Sequence, residues 1–570
     1  MERLKLLSWV PHALVGALAL PFIVHQNAEF EWANALWLLD LQTAHVGVYG
    51  IPTFFIDAPH MYFYPQQVFY AGPGLSVMAY ASLVFGTWPV FAAVTAGAFI
   101  AASAGLSWTA RNLGVPSRLA IVPGILFAVT PYTVSNLYGR GAWSELVAVG
   151  ALSVALGGAT SLVTSRARSR PAVIAVLALA VAAIAGVHNI TLLFSALFAP
   201  VLGVALLPLL SGSHAQLLRR YALVLAGGLI GVAVCGAFLL PNVWLSSRTV
   251  INSFSGEFLR KVNGFDRLNL IFDPIPRQPP GTVGTDLRTQ TLAAALIWCF
   301  GAAALATSRR WLDRRAQITL VLLGLAGLGT TLLITNPSWW LSFPSTLRAI
   351  QFPFRLVTYL SLLIVLGIIV LLANPVLRRN RAIIVMLVLA TAWQVGVAGL
   401  LAVMTRAQGA HPAPTPASVR PGSTPPGFRY QAQKVGFRLV THHPLEAPTQ
   451  QAHVAPIGDD TPPHIRLSGS EPVGSLVATR VVASPLISFT GDVSVAGATA
   501  DGFEVVRVKR SPWRATVGPV CGACLSALTG RAPLALLAGR LLSLIGALAL
   551  LGLLLASISG TRRRPLRAPA

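Results

Sequence analysis

YPQQVFYAGPGLSVMAYASLVFG, residues 64–86, is apolar enough to cross a membrane and carries no charged side chain. Whether it crosses decides the topology of everything that follows. If it spans, each arginine-bearing loop after it falls on the opposite side from the N-terminal Arg3 and Lys5. If it lies flat, all the short basic loops fall on one side, as the positive-inside rule requires. Gly72, Pro73 and Gly74 break the run, and its tyrosines suit a membrane surface. We therefore read it as an interfacial or re-entrant helix within a first outer loop of residues 26–88.

Around this helix lie twelve runs of membrane-spanning length, near residues 8–25, 89–110, 117–135, 144–163, 172–187, 190–210, 221–240, 289–307, 316–335, 354–373, 383–404 and 534–559. About 20 apolar residues cover roughly 30 Å of hydrocarbon. The composition agrees, with 54% hydrophobic and 11% charged residues and a mean hydropathy of +0.68. The inside loops then carry Arg111 and Arg118; Arg166, Arg168 and Arg170; Arg219 and Arg220; Arg309, Arg310, Arg314 and Arg315; Arg378, Arg379 and Arg381; and Arg562, Arg563 and Arg564. Of 18 acidic residues only Glu2 and Asp313 fall on that side. The net charge of +24 is thus an arginine fringe facing anionic lipid, plus a basic outer segment. No nucleic-acid-binding module is recognisable. The N-terminal run is too long, and too poor in small cleavage-site residues, for a cleavable signal.

The expected fold is mainly α: a bacterial plasma-membrane protein of about twelve transmembrane helices with both termini cytoplasmic. The transmembrane domain takes residues 1–404, and residues 534–570 form the last helix and a basic tail. Between them, residues 405–533 open on a Pro-rich linker at 405–427. HIRLSGS, SLVATRVVAS, LISFTGDVSVAGA and FEVVRVKRS then alternate in the manner of strands, as does the earlier VGFRLVTHH. This is read as a small extracytoplasmic β-sandwich-like domain. Cys235 and Cys299 fall in spans as packing residues. Cys521 and Cys524 form CGAC, a local disulfide or two thiols, without the further ligands a metal site needs.

Chemistry belongs where polar groups gather at the outer face. The first loop holds Glu29, Glu31, Asp40, His45, Asp57 and His60 among aromatics. A carboxylate at an apolar interface can act as general base toward a sugar hydroxyl, and a nearby histidine can hold phosphate or share a proton; ordinary solvated loop residues are the alternative. SNLYGRGAWSE adds Arg140 and Glu145, either binding substrate or pairing with each other at a helix start. GVHNIT puts His188 in a tight turn, as a substrate ligand or as a turn residue with its own partners. Arg348 and Arg355 lie at the outer end of the tenth span, where the positive-inside bias would not place arginine. A guanidinium there suits phosphate recognition, with snorkelling to headgroups as the other reading.

The acidic first loop, the FYP segment before an amphipathic helix, and then LYGRGAWSE, HNIT and QFPFR resemble bacterial polytopic proteins of the 6-pyruvoyl-tetrahydropterin-synthase-related type. Those in turn resemble the GT-C superfamily of glycosyltransferases. The match covers about residues 1–375. The resemblance implies transfer of a sugar from a polyprenyl-phosphate donor to a cell-envelope glycan or glycolipid acceptor. Asp40 would be the base, with Asp57 second and His45 alongside, and Arg355 would hold the lipid phosphate. Either arginine or a divalent cation, Mg2+ or Mn2+, would offset charge on the leaving group. No zinc-binding histidine triad accompanies the pterin label, and Glu29 and Glu31 are separated by Phe30 where some members carry a paired Asp-Glu. Two other classes share the span count: a transporter or flippase, which calls for midplane ionisable or broken helices, and a non-catalytic protein that binds or assembles lipid-linked glycans.

Overall fold

The computed structural model describes residues 9–25, 31–53, 55–58, 61–64, 72–138, 141–167, 169–246, 312–336, 339, 342–344, 353–407, 450–451, 453–454, 465–484, 486–499, 503–519 and 534–562. Among these, nine helices are long and apolar enough to cross a membrane, or ten if one bent pair is a single span. The expected run at 289–307, the Pro-rich linker, VGFRLVTHH, Cys299, Cys521 and Cys524 lie outside the described residues.

Three expected spans are interrupted. The first is α1 (Val10–Gly16) and α2 (Leu20–His25), joined by a 3-10 turn. The third is α6 (Ile121–Ala128) and α7 (Pro131–Tyr138), bent by 44°. Pro131 has no N–H to continue the ladder and disfavours helical geometry in the residue before it, so the break falls there. Between them α3 (Glu31–Tyr49), α4 (Gly72–Phe85) and α5 (Thr87–Asn112) follow in order. The chain continues through α8 (Trp143–Val163), α9 (Arg170–Val187), α10 (Asn189–Leu206), α11 (His214–Val234), α12 (Gly236–Ser246), α13 (Arg314–Thr335), α14 (Val357–Ala373), α15 (Arg381–Ala407) and the final α16 (Leu534–Arg562). The seventh span is the third interrupted one, divided between α11 and α12 at Cys235.

Small residues set the closest approaches. A Cβ on Gly105 of α5 would sit 2.5 Å from the Ser153 carbonyl oxygen, and one on Gly150 of α8 would sit 2.6 Å from that of Ala98. Neither helix can carry a larger residue there without moving apart, which is how membrane helices pack without a hydrophobic driving force.

The described part of the helix on which the topology turns has 14 residues, about 21 Å at 1.5 Å per residue, against a bilayer core of roughly 30 Å. Gly86, with φ +84°, turns the chain sharply into α5. Its beginning is wedged against the end of α9, where a Cβ on Gly74 would lie 3.2 Å from the Gly186 carbonyl oxygen. Val77, Leu83, Val84 and Phe85 are exposed on its other side. Tyr64, the first residue of the expected 64–86 helix, belongs to a strand instead.

The arginine loops do meet at one end of the bundle. Leu113, Thr164, Ser211, Asp313 and Asn374, from five separate connections, line a single cavity. The guanidinium of Arg166 donates to the Arg111 carbonyl. Arg220 donates to the carbonyls of Val163 at 3.1 Å and Ser211 at 2.8 Å. Cations belong at helix C-termini, where the macrodipole leaves partial negative charge and unpaired carbonyls.

The β region has two sheets. β1 (Ile56–Ala58) and β2 (Met61–Tyr64) come from the segment between α3 and α4. β3 (Gln450–Gln451), β4 (His453–Val454), β5 (Ile465–Gly469), β6 (Leu476–Val482), β7 (Ile487–Gly491), β8 (Val493–Ala498), β9 (Phe503–Val508) and β10 (Trp513–Pro519) come from the later segment. One sheet runs β1-β2-β6-β9-β8 with β3 on β6, and the other runs β4-β5-β10-β7. Alternation is clean on β5, where Ile465 and Leu467 are buried and Arg466 and Ser468 exposed. The sheet is not closed on its own segment, since β2 pairs in parallel with β6 at Tyr62 and Val481. Glu504 is buried in β9 and accepts the Ser484 backbone N–H. Burial pushes its carboxyl up to about 7.

Candidate functional site at the end of the bundle away from the arginine loops

Opposite the arginine loops, a buried polar layer is built from α7, α8, α10 and α14. Gly141, at φ +64°, turns the chain into α8 and puts Glu145 in its first turn, where the helix dipole favours a carboxylate. Tyr132 of α7 donates its hydroxyl to Glu145 Oε1 at 2.7 Å. Arg355, in the 3-10 turn Pro353–Leu356 before α14, brings Nε to 3.5 Å from Glu145 Oε2. Glu145 is 2% exposed and Arg355 7%. A buried ion pair in apolar surroundings rarely repays its desolvation by stability alone.

Tyr359 follows Arg355 by four residues and therefore shares its helix face. Its hydroxyl donates to the Thr191 carbonyl at 2.9 Å and lies 3.0 Å from Ser195 Oγ. His188 caps α10: its Nδ1 accepts the Thr191 backbone N–H at 3.3 Å and sits 2.7 Å from Thr191 Oγ1. An accepting Nδ1 places the proton of a neutral ring on Nε2. Three of the sequence candidates, Glu145, His188 and Arg355, thus fall in one layer. The turn bearing Arg355 and the start of α14 join its two halves. On α7, one turn beyond Tyr132, Asn136 is fully buried with neither amide atom hydrogen-bonded among the described residues, an arrangement that is costly unless a ligand or water serves it.

Asp40 and His45 do not lie in an irregular loop. Both are on α3, a 19-residue helix. The Thr87 hydroxyl at the start of α5 hydrogen-bonds the Asp40 carboxylate, yet burial prevails and pushes its carboxyl above the ordinary value. His45 donates from Nδ1 to the Ile51 carbonyl at 2.8 Å and packs on the Tyr49 ring. Burial draws its pKa down and that bond partly opposes it. Its contacts close the end of α3 and leave Asp40 to Thr87. Gln42, fully buried, pins the following loop through both backbone groups of Thr53.

An aromatic cluster runs from Trp88, next to Thr87, to Trp143 at the start of α8. Trp88 stacks on Phe91 at 6.2 Å, Phe91 on Trp143 at 4.6 Å, and Trp32 meets Phe22 edge-on at 5.0 Å. Asp40 is bonded beside Trp88, and Glu145 follows Trp143 by two residues. Asp40 and Arg355 form no ion pair with each other.

The described arginine on Glu145 is Arg355, and the Arg140–Glu145 pairing considered from sequence falls on a residue outside the described ones. Arg140, His60, Arg348 and Glu29 lie outside the described residues. Asp57 is placed in β1 by its backbone. Among the described residues no three His, Cys, Asp or Glu side chains gather as a metal site would need. Tyr132, Tyr359 and Thr191 were missed because they lie inside apolar runs that read as span. The only sequence signal was the four-residue spacing of Tyr359 from Arg355.

No family model matches the chain, and no curated protein matches it. Among solved structures, it is similar to the cryo-EM structure of the arabinofuranosyltransferase AftD from Mycobacteria, at 17% identity and a TM-score of 0.44, over 71% of this chain and 27% of that one. It is also similar to the Archaeoglobus fulgidus oligosaccharyltransferase in its apo form, at 13% identity and a TM-score of 0.43, over 78% of this chain and 62% of that one. The same archaeal enzyme, AglB, in complex with an inhibitory peptide and a dolichol-phosphate matches at 12% identity and a TM-score of 0.43. The chain spans less than two thirds of each of these proteins. The 6-pyruvoyl-tetrahydropterin-synthase-related label has no counterpart among these matches.

Proposed function

We propose that this chain is a membrane glycosyltransferase that moves a sugar from a polyprenyl-phosphate donor to a cell-envelope glycan or glycolipid acceptor outside the membrane. The observation that carries this reading is the buried Arg355–Glu145 pair, set at the end of the bundle away from the arginine loops. An arginine in low-dielectric surroundings is suited to grip a phosphate as negative charge grows on it. Glu145 holds that arginine in place through Nε, and the guanidinium has five N–H donors in a fixed fork.

The reaction is a single displacement. The Asp40 carboxylate, made more basic by burial, takes the proton of the acceptor hydroxyl. The acceptor oxygen bonds to the anomeric carbon while the bond from that carbon to the phosphate oxygen breaks. The electron pair leaves on polyprenyl phosphate, whose added charge Arg355 offsets. His188, Asp57 and the residues His45, His60 and Arg140 are proposed to line the substrates. The described residues offer no metal-holding set.

The test uses the purified full chain in lipid nanodiscs. Binding of undecaprenyl phosphate and release of it from lipid-linked sugars extracted from the source cells are measured for wild type, Asp40→Asn and Arg355→Lys. Asp40→Asn should bind the lipid and fail to release it, and Arg355→Lys should bind it more weakly. Unchanged binding and release in both variants would overturn the proposal.

A further inference from the structure

The opposite end of the bundle has a site of its own. Four helical C-termini, those of α5, α8, α14 and the 3-10 helix Leu207–Leu209, end around an open cavity of about 290 Å³. Its polar lining includes Asn112, Thr164, Arg166, Ser211, Asp313 and Asn374. The cavity thus has a cation and a carboxylate on its walls, and Arg166 and Asp313 make no ion pair with each other.

The partners of both are settled by geometry. Arg166 spends Nη1 on the Arg111 carbonyl. Asp313 spends Oδ1 on the N–H of Ala316, 2.8 Å away, as the N-cap of α13. Among the described residues, Arg166 Nη2 and Asp313 Oδ2 have no hydrogen-bond partner, and both residues line the cavity. The four helix C-termini add partial negative charge around the cavity.

We propose that this cavity binds the headgroup of an aminophospholipid, with phosphoethanolamine as the recognised chemistry. Its phosphate goes to Arg166, and its ammonium goes to Asp313 and the carbonyl ends of the helices. The arginine-bearing connections that surround the cavity set it at headgroup level by the positive-inside rule. A purely anionic headgroup meets Asp313 and four helix C-termini, and a purely cationic ligand meets the arginine fringe. Only a molecule with both charges a few bonds apart matches both walls. A choline headgroup lacks the N–H donors that Asp313 and the carbonyls accept. The proposal is independent of the chemistry assigned to the outer end.

The experiment is a lipid titration of the purified full chain in detergent, reading thermal unfolding and bound-lipid mass. Phosphatidylethanolamine, phosphatidylcholine, phosphatidylglycerol and soluble phosphoethanolamine are each added alone. Phosphatidylethanolamine should stabilise most, and the soluble headgroup should compete with it at high concentration. Asp313→Asn preserves the cap, since asparagine caps as well as aspartate, and should lower phosphatidylethanolamine affinity about tenfold, as expected for loss of one charged hydrogen bond. It should leave phosphatidylcholine binding unchanged. Arg166→Gln should weaken the ethanolamine, glycerol and choline headgroups alike, since each carries the phosphate. Equal stabilisation by all three lipids, or an Asp313→Asn variant that keeps the ethanolamine preference, would overturn the proposal.

Discussion

The two ends of the bundle use arginine in opposite ways. At the loop end, Arg166 and Arg220 remain partly exposed and satisfy helix carbonyls, so their charge stays near water and costs little. At the outer end, Arg355 is buried and needs Glu145 as counter-ion, with Tyr132 completing the carboxylate. Topology explains the first set. It does not explain the second, because an apolar pair of the same volume would pack as well or better. The arginine that packing does not require is the one that chemistry would retain.

Mutations can break this comparison, beginning at the outer end. Asp40→Asn should cut sugar transfer about 10²- to 10⁴-fold, the usual span for losing a general base, with no loss of thermal stability. Wild-type turnover should rise with pH through a midpoint above the ordinary carboxylate value, because burial raises Asp40 and the base works deprotonated; the limb should vanish in Asp40→Asn. Arg355→Gln removes the described cation beside buried Glu145 and should cost about 3–5 kcal/mol in chemical unfolding. Arg355→Met combined with Glu145→Leu should recover most of that stability while transfer stays abolished. If the double variant regains activity, the pair is packing and nothing more.

Glu504 sharpens the contrast, being a buried glutamate held by a backbone N–H where Glu145 has a cation. Its carboxyl, pushed up to about 7 from 4.5, keeps a proton in the folded state that the unfolded chain releases. That contribution is complete below the unfolded value and is lost as pH rises from about 4.5 to about 7, on the order of 3 kcal/mol at most. Glu504→Gln should flatten the pH dependence of β-region unfolding across that window. Tyr359→Phe deprives the Thr191 carbonyl and Ser195 of their partner and should cost about 1–3 kcal/mol. Arg220→Gln, at the loop end, should cost under about 1 kcal/mol.

Much of the helical architecture was legible because charge and hydropathy follow simple rules in lipid. The connections that carry the arginines assigned to one side do converge on one cavity. The helix at Glu31–Tyr49 was not legible. Its acids, Gln42 and Thr43 break the apolar pattern, so the stretch reads as loop, while burial against α4 and α5 is what makes it fold. The Tyr62–Val481 pairing was equally hidden, because β2 is four residues long and its partner lies in another part of the sequence. Arg355 and His188 stood out by their positions in the topology. The Glu145–Arg355 contact did not, since Arg140 was the nearer arginine and sequence has no distance scale across a bundle.

The most direct test of the outer-end site is the pool of polyprenyl-phosphate sugars in cells whose only copy of the gene encodes wild type, Asp40→Asn or Arg355→Lys, at matched protein levels. The account predicts that one lipid-linked sugar accumulates in both variants while its envelope product falls. Lipid-linked sugar and product at wild-type levels in Asp40→Asn and Arg355→Lys alike would contradict it.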